Sequence, residues 1–330
     1  MEKVRFVMIG VGGMGRSHIQ KLLQVPEAEI AALADPSIAS LEEAKRRFPQ
    51  LAEVPAYADY REALSRTAAD AAVIVTPHSQ HLEQGMACLD AGLHVLMEKP
   101  FVAGSENAQR IIEHAEACNK HLAVAYQRHV LGPFLYLRDV VQRGELGSIR
   151  YVCAYQAQRW MQATAGTWRQ DPALSCGGQL NDSGSHLLDV VLWVTGLEPQ
   201  AVSACIDNRG TPVDIDSAVT VRFDGGAIGT FNVVGSASIG LYEDVTFHGD
   251  KGTAMYRNNT LLIAREGQSQ PVAIAADEFP ASSDPDKDFV ELILGRKEEA
   301  AAPASCGLRI AKLTEAAWTS AANGGQWITL

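Results

Sequence analysis

The N-terminal third of the 330-residue sequence alternates short apolar runs with amphipathic stretches, and this alternation constrains the fold more than any other feature. Short strands with little in/out alternation are typical of a parallel sheet that is covered on both faces. Strands are predicted at 3–9, 29–34, 71–75, 93–97 and 122–125, and helices at 14–24, 38–48, 80–91 and 105–119. Strands that alternate with helices predict right-handed βαβ units and an α/β fold with a doubly wound parallel sheet.

The pattern changes from residue 151 onward, where the apolar runs become longer and follow one another. Strands are predicted at 151–157, 201–207, 218–223, 227–234 and 242–249, and helices at 179–194, 286–294 and 308–322. The run Asp224-Gly225-Gly226 separates two of these strands and predicts a hairpin turn. This half therefore predicts an α+β domain with a mostly antiparallel sheet. Because the chain is about twice the usual domain length, we predict two domains, 1–125 and 126–330.

Charge and composition exclude several kinds of partner. The chain has 28 Lys and Arg residues against 39 Asp and Glu residues, and this net charge of −11 disfavours nucleic acid and anionic membranes. No apolar run approaches the ~20 residues of a membrane helix, and no signal-peptide pattern precedes the first strand. The six cysteines form no CxxC pair, so we expect reduced thiols and no zinc site. We expect a cytoplasmic protein.

A glycine-rich motif of the form G-x-G-x-x-G follows the first predicted strand and opens the first predicted helix. In a βαβ unit such a loop lets the backbone approach a pyrophosphate, and the helix N-terminus attracts the anion. The motif alone is weak, because a glycine-rich corner needs no ligand, but its position in the sequence indicates a dinucleotide-binding domain of the Rossmann type. The residues expected at the pyrophosphate are Gly10, Gly12, Gly13, Met14 and Gly15.

Asp35 ends the second predicted strand, where a carboxylate of such domains accepts hydrogen bonds from the ribose hydroxyls. The same carboxylate would repel a 2′-phosphate, and Pro36 and Ser37 follow it in place of an arginine. The sequence therefore predicts NAD as the cofactor and makes NADP the less favoured choice. Asp35 could instead cap the next helix, although Ser37 can take that role.

Two short segments carry groups suited to proton transfer. Lys99, in Glu98-Lys99-Pro100, follows a core strand, where it could meet a developing alkoxide or simply be a surface lysine in a loop. On the helix predicted at 179–194, Asp182 and His186 are four residues apart and share a face with Asp189. A carboxylate beside an imidazole suits a general base, but the pair could equally form a structural hydrogen bond. An Asp-x-x-x-His pair could also bind a metal, but no third ligand stands out nearby.

Taken together, these motifs resemble the family of glucose–fructose oxidoreductases, inositol 2-dehydrogenases and rhizopine oxidoreductases over essentially the whole chain. The motifs that carry the resemblance are the glycine-rich loop, Thr76-Pro77-His78-Ser79-Gln80-His81, Glu98-Lys99-Pro100, Trp168-Arg169, and Gly177-Gly178 leading into Asp182-x-x-x-His186-x-x-Asp189. The resemblance implies a Rossmann domain followed by a domain with a large open sheet, which often forms an oligomer interface. It also implies a catalytic set of Lys99, Asp182 and His186.

The resemblance further implies which side chains lie near the cofactor and the substrate. The cofactor contacts carried over are Thr76, Pro77, His78, His81, Glu98, Lys99, Gln127, Trp168 and Arg169. The substrate contacts carried over or suggested are Lys99, Arg159, Trp168, Asp182 and His186. His78 stands where the family commonly has asparagine, and Gln127-Arg128-His129 departs from the usual run, which puts the detailed contacts in doubt.

Other conspicuous side chains have plainer interpretations. Trp193, on the apolar face of its helix, is expected in the core. Arg128 and Arg159 could hold a substrate carboxylate or only form salt bridges. His18 and His114 lie in helical segments away from the motifs, and we expect them to be structural or solvated.

The functional expectation is an oxidoreductase that passes a hydride between a nicotinamide and a hydroxyl-bearing carbon of a sugar, cyclitol or related polyol. One alternative is a redox-neutral enzyme that uses bound NAD transiently to process glycosides. A second is a non-catalytic dinucleotide sensor, against which the set of proton-transfer residues argues. We expect a homodimer or homotetramer that is formed through the sheet of the second domain.

Overall fold

A computed structural model describes residues 3–330, which form two compact units. The first unit contains the described residues up to Gln127 and, from later in the chain, Ser283–Leu308. The second unit contains Arg128–Ser282 and Arg309–Leu330. The two-domain division at 125/126 is a prediction from composition and pattern. The compact units of the structure differ from this prediction chiefly in that 283–308 belongs to the first unit.

The first unit is built on a six-stranded sheet whose order is β3-β2-β1-β4-β5-β6 and whose strand pairs are all parallel. Its elements are β1 (Val4–Ile9), α1 (Gly13–Leu22), β2 (Ala28–Ala34), α2 (Ile38–Arg47), β3 (Ala56–Tyr57), α3 (Tyr60–Arg66), β4 (Ala71–Ile74), α4 (His81–Asp90), β5 (His94–Met97), α5 (Ser105–Ala117) and β6 (Leu122–Val124). This order is the doubly wound Rossmann topology, so the predicted fold of this half is confirmed.

Burial explains why the strands of this sheet could be read from the sequence. Every residue of β4 is buried, and β1 and β2 are apolar apart from Arg5 and Glu29 near their starts. Helices on both faces require such strands, because neither face meets water. The short elements β3 and α3 were not predicted, since the two-residue strand β3 lies at the sheet edge and carries no apolar run.

The second unit is built on a nine-stranded sheet, ordered β14-β13-β12-β11-β7-β10-β9-β8-β15, in which only β7 and β10 pair in parallel among the described residues. The elements that follow β6 are α6 (Gly132–Gln142), β7 (Ile149–Gln158), α7 (Trp160–Ala163), α8 (Pro172–Ser175), α9 (Gln179–Asp182), α10 (Gly184–Thr195), β8 (Pro199–Asp207), β9 (Asp216–Phe223), β10 (Ile228–Val234), β11 (Leu241–Gly249), β12 (Thr253–Arg257), β13 (Thr260–Ala264), β14 (Val272–Ala273), α11 (Pro285–Ile293), α12 (Ala304–Ala322) and β15 (Ile328–Thr329). Of these, α11 lies in the first unit and α12 is divided between the units after Leu308.

The predicted mostly antiparallel sheet is therefore confirmed, as is the turn at Asp224–Gly226, where β9 and β10 pair antiparallel. Helix α10 packs on β7 and β10 and alongside α6. The sheet has four more strands than predicted, β12 to β15. The sequence did not predict them because they are short and weakly patterned. The hairpin between β12 and β13 turns at Asn258 and Asn259, both with positive φ.

The helix predicted at 179–194 is interrupted at Ser183, which separates α9 from α10. Ser185 donates its hydroxyl to the carbonyl of Asp182 at 2.8 Å, and the amide of His186 reaches the carbonyl of Ser183 at 3.3 Å. A side-chain bond and a three-residue backbone bond thus replace the regular ladder at this point. Among residues 3–330, no helix has the length and apolar character that crossing a bilayer requires.

Candidate active site

The cofactor residues predicted in the first unit lie at the carboxyl edge of its parallel sheet. The loops concerned follow β1 (Gly10), β2 (Asp35), β4 (Thr76), β5 (Glu98) and β6 (Gln127). Doubly wound proteins bind their ligands at this edge, close to where the strand order reverses, which here is between β1 and β4. The topology thus brings together loops that are far apart in the sequence.

The glycine-rich loop joins β1 to α1 in a turn that excludes side chains at two positions. Gly10 has a φ of +88°, and a Cβ there would lie 2.4 Å from the carbonyl oxygen of Val75. A Cβ on Gly15 would lie 2.1 Å from the carbonyl oxygen of Gly10. Gly12 and Gly13 face open space, and no described side chain caps the N-terminus of α1. The loop therefore leaves a helix N-terminus open to an anion, as a bound pyrophosphate requires.

Asp35 ties the end of β2 to this loop. Its Oδ2 accepts the amide of Val11 at 2.8 Å, and its Oδ1 accepts the amide of Ser37 at 2.9 Å. The cap of α2 is Ser37, whose hydroxyl oxygen accepts the amide of Ser40, so the helix-cap role did not fall to Asp35. A carboxylate has about four acceptor positions, so these two bonds leave room for the ribose hydroxyls that the sequence predicts as its ligands.

The segment after β4 is braced by backbone contacts of a buried histidine. His81 directs Nε2 at the carbonyl oxygen of Thr76, 3.0 Å away, and Nδ1 at the carbonyl oxygen of Phe101, 2.6 Å away. Burial lowers the pKa of His81, although these carbonyl contacts oppose the shift. His81 thereby links the loops after β4 and β5, and its ring nitrogens face the backbone of the protein. Thr76 also donates its hydroxyl to Gln84 at 2.6 Å.

Glu98 is buried and holds the backbone of the residue that follows it. Its Oε2 accepts the amide of Lys99 at 3.0 Å, and its Oε1 lies 3.0 Å from Nε2 of His18. Burial alone would raise the pKa of Glu98, but His18 and Lys99 outweigh it and keep this pKa below its usual value. His18 was expected to be remote from the motifs, and the structure corrects this expectation, because its ring contacts Glu98 of Glu98-Lys99-Pro100.

In the second unit, Asp182 is buried at the end of α9 and accepts two hydrogen bonds. Its Oδ2 lies 2.9 Å from the indole Nε1 of Trp160 and 3.1 Å from Nε of Arg169. The Arg169 guanidinium also lies over the ring of Trp168, 4.4 Å from its centroid. The structure thus joins Trp168-Arg169 to Asp182. The contribution of Trp160 was missed, because nothing in the local sequence pairs a tryptophan with a carboxylate far along the chain.

The Gly177-Gly178 turn that precedes α9 is pinned by Asp214. Its carboxylate accepts the amides of Gly178 at 2.8 Å and of Leu180 at 2.7 Å, together with the indole N–H of Trp318 at 3.1 Å. A Cβ on Gly178 would lie 2.0 Å from the carbonyl oxygen of Asp214. Burial raises the pKa of Asp214 even though these three donors oppose the shift. This buried network fixes where α9 begins, and so where Asp182 lies.

His186 lies in the first turn of α10 and is held through its backbone. Arg128 donates to the carbonyl oxygen of His186 at 3.0 Å and forms a two-pronged ion pair with Glu243, with Nη2 and Oε2 2.8 Å apart. Burial raises the pKa of Glu243 against the opposing effect of Arg128. Of the two roles considered for Arg128, the salt bridge is the one that the structure contains.

Asp189 does not join Asp182 and His186 as the shared helix face suggested. Its Oδ2 lies 2.7 Å from Nε2 of His129, and both side chains are buried. The His129 ring stacks on Trp193, 4.2 Å between centroids, which confirms that Trp193 belongs to the core. Arg159 is exposed ahead of α7.

The remaining predicted site residues differ in exposure. His78 is buried, Pro77, Lys99 and Trp168 are partly exposed, and Met14 and Gln127 are exposed. Lys99 belongs to the first unit, and Asp182 and His186 belong to the second. The roles assigned to these residues stay predictions.

Comparison with known protein families gives the same assignment for both halves. Residues 4–126 match the model described as "Oxidoreductase family, NAD-binding Rossmann fold", and residues 134–255 match the C-terminal domain of the same GFO/IDH/MocA family. The chain belongs to the GFO/IDH/MocA oxidoreductase family. The family predicted from the sequence motifs is therefore confirmed, together with an NAD-binding domain.

Individual members of the family are similar to this chain at moderate identity. The rhizopine catabolism protein MocA of Rhizobium meliloti is 30% identical over 200 residues, which are 60% of this chain and 59% of that protein. The scyllo-inositol 2-dehydrogenase (NADP(+)) IolW of Bacillus subtilis is 31% identical over 207 residues, which are 61% of this chain and 55% of that protein. The alignments thus span little more than half the length of these two relatives.

A solved structure supports the fold over the full length. The aldose-aldose oxidoreductase of Caulobacter crescentus, complexed with glycerol, superposes with a TM-score of 0.86 over 100% of both chains at 20% identity. At this identity the likeness concerns the fold.

Proposed function

We propose that this protein is an NAD-dependent oxidoreductase that interconverts a hydroxyl and a keto group on a sugar, cyclitol or related polyol. The observation that carries the proposal is the carboxyl edge of the parallel sheet. An uncapped helix N-terminus, the Asp35 carboxylate and the Glu98-held Lys99 all follow strands that end at that edge. A dinucleotide site that also presents a lysine suits hydride transfer better than sensing alone.

The names of the relatives supply the substrate class. MocA is named for the catabolism of a rhizopine, and IolW is named as an inositol 2-dehydrogenase. The name of IolW favours a ring that carries several hydroxyl groups as the substrate. NAD is the cofactor favoured by Asp35, whereas IolW is named for NADP(+), so the choice between the two is a direct test of the role of Asp35.

The proposed chemistry divides the work among three residues. NAD, which the glycine-rich loop and Asp35 would hold, would supply the hydride acceptor for oxidation of a secondary alcohol to a ketone, with NADH and one proton as the other products. His186 takes the hydroxyl proton as general base, and Asp182 orients the imidazole. Lys99 stabilises the developing alkoxide by its positive charge. In the reverse direction, His186 or Lys99 returns the proton.

The decisive experiment follows the formation of reduced nicotinamide with a panel of sugars, cyclitols and sugar acids. Lys99→Ala and His186→Ala are expected to lower kcat by about 10²–10⁴-fold, as for the loss of a general acid or base. Lys312→Ala and His114→Ala are matched controls, because Lys312 is exposed on α12 and His114 is partly exposed on α5. No reduced nicotinamide with any substrate, despite NAD binding by calorimetry, would point to the redox-neutral enzyme or the sensor.

We propose further that the protein forms a homodimer or homotetramer through the outer face of the nine-stranded sheet. Tyr151 of β7 and Ile228 of β10 are neighbours in register on that face, and they remain 37% and 41% exposed. Apolar side chains at the centre of an open sheet are typical of an interface. Sedimentation of Tyr151→Glu and Ile228→Glu should show a loss of the oligomer that Val272→Glu, on the edge strand β14, does not show. A monomeric wild-type protein would contradict the proposal.

A further inference from the structure

A fully buried histidine connects helix α1 to the loop that carries Lys99. His18 is 1% exposed, and its Nδ1 lies 2.7 Å from Oδ1 of Asp286, on α11. Its Nε2 lies 3.0 Å from Oε1 of Glu98. A carboxylate only accepts hydrogen bonds, so the ring can satisfy both contacts only when both nitrogens carry hydrogen. The geometry therefore calls for an imidazolium ion.

The charges around this ring favour the same state. Asp286 is fully buried and has Lys21 3.7 Å from its second oxygen. Burial alone would lower the pKa of His18, but Asp286 and Glu98 outweigh it and raise the pKa to about 10. Lys99 also lies near Glu98 and lowers its pKa, and burial lowers the pKa of the nearby His81, although its backbone carbonyl contacts oppose that shift. The cluster thus surrounds two carboxylates with the cations of His18, Lys21 and Lys99.

One hydrogen bond connects this cluster to Lys99, namely the one that Glu98 accepts from the Lys99 backbone amide. Glu98 uses Oε1 for His18 and Oε2 for the backbone amide of Lys99, so one carboxylate transmits the position of the ring to that backbone. His18 lies on the buried side of α1, whose N-terminus follows the glycine-rich loop. The His18 ring therefore connects three parts of the first unit: the helix that follows the glycine-rich loop, the loop that contains Lys99, and helix α11, which contains Asp286.

We propose that His18 is a positioning residue for Lys99: clamped as a cation between Asp286 and Glu98, it fixes the Lys99 backbone relative to the glycine-rich loop. This inference rests on the proposed function, in which Lys99 stabilises the alkoxide. Misplacement of such a group by about 1 Å can cost on the order of 10²-fold in rate without any change in the groups that react. The alternative is a buried ionic cluster that only stabilises the unit.

The kinetic test compares His18→Gln with Leu22→Ala, a core truncation on the same helix. His18→Gln is expected to lower kcat by about 10–100-fold while the KM for the polyol and the Kd for NAD change little. Asp286→Asn, which keeps the size of the side chain and removes one charge, should give an intermediate loss. A purely structural cluster would instead lower thermal stability alone, as Leu22→Ala does. An unchanged kcat in folded His18→Gln, or an equal fall in Leu22→Ala, would overturn the proposal.

Two measurements do not depend on activity. Nitrogen-15 NMR of the His18 ring should show both nitrogens protonated well above pH 6.5, the ordinary pKa of histidine. Amide hydrogen exchange at Lys99 should become faster in His18→Gln and stay slow in Leu22→Ala. A protein that oxidises no polyol yet shows both signatures would overturn the proposed function and leave the clamp intact. A neutral His18 ring, or unchanged exchange at Lys99, would overturn the clamp itself.

Discussion

Three buried ionic groups hold the backbone of residues that matter for the proposed chemistry. Glu98 accepts the amide of Lys99, Arg128 donates to the carbonyl of His186, and Asp214 accepts the amide of Gly178. Burying a charge is costly unless it is paired or hydrogen-bonded. Glu98 and Arg128 have charged partners, and Asp214 accepts three hydrogen bonds. Charged bonds of this kind are stronger than neutral ones and fix the geometry of a loop, which apolar contacts would do less sharply.

The ion pair of Arg128 and Glu243 gives a prediction for both stability and activity. Both side chains are largely buried, so Glu243→Ala leaves an unpaired guanidinium and should lower the free energy of unfolding by about 3 kcal/mol. It should also lower kcat, because the donor to the carbonyl of His186 loses its anchor. Urea unfolding and steady-state kinetics measure the two effects. Asp139→Ala, which breaks an exposed pair with Arg143, should cost less than about 1 kcal/mol. Equal costs for the two variants would contradict the prediction.

Asp35 gives a prediction for the cofactor. Asp35→Ser removes the carboxylate that would accept the ribose hydroxyls and repel a 2′-phosphate, so NAD should bind on the order of 10-fold more weakly and NADP relatively better. Calorimetric titration of both dinucleotides measures the change. Asp35→Asn is the matched control, because it keeps the size of the side chain and an oxygen that can accept the amide of Val11. Tighter binding of NADP than of NAD by the wild-type protein would contradict the assignment.

At the scale of elements, the Gly177-Gly178 turn shows how a single backbone approach fixes a helix. A Cβ on Gly178 would meet the backbone of Asp214 at 2.0 Å, so Gly178→Ala must displace the start of α9 or the segment at Asp214 that leads into β9. We expect it to lower the free energy of unfolding by about 1–3 kcal/mol and to weaken the Asp182 cluster. Gly240→Ala, where the added atom meets nothing within 4 Å, should be close to neutral. Chemical denaturation of both variants tests this difference, and equal midpoints would contradict it.

Elements could be predicted where burial dictates composition. The strands β1, β4 and β5 were found within two residues, because strands covered on both faces must be continuously apolar. The short edge strands β3, β14 and β15 were not predicted, because two residues are too few to show a hydrophobic alternation. The sequence did not predict the helix break at Ser183 for another reason. It depends on the Ser185 hydroxyl bonding to a carbonyl, which competes with the helix and which residue type alone does not decide.

The candidate site divides in the same way. Gly10, Asp35 and Lys99 could be found from the sequence, because Gly10 and Asp35 directly follow predicted strands and Lys99 lies two residues after one. The partners that hold the site could not, because the contacts of Trp160 with Asp182 and of Arg128 with Glu243 join residues 22 and 115 positions apart. Such pairs depend on the tertiary fold, and no local sequence pattern predicts them.

For the molecule as a whole, two histidines link stability to pH in opposite directions. Asp286 and Glu98 outweigh burial and raise the pKa of His18 to about 10, so its stabilisation is complete below pH 6.5 and is lost as the pH rises through 10. Burial, helped by Lys120, lowers the pKa of His94 to about 4, and its Nδ1 accepts the amide of His121 at 2.9 Å. The folded protein keeps His94 neutral while the unfolded chain takes up a proton. The contribution of His94 to the free energy of unfolding is therefore lost as the pH falls from 6.5 through 4.

The alkaline side gives the sharper prediction, because His18 is fully buried. Between pH 6.5 and about 10 the folded protein holds a proton that the unfolded chain has released. The free energy of unfolding should therefore fall with rising pH, with His18 contributing up to about 1.4 kcal/mol per pH unit. His18→Gln should lose this slope, whereas His114→Gln, at a partly exposed site beside Asp90, should keep it. Urea unfolding across this pH range makes the comparison. A slope that survives in His18→Gln would mean that His18 is neutral in the folded protein, and that hydrogen bonding without charge holds Glu98 in place.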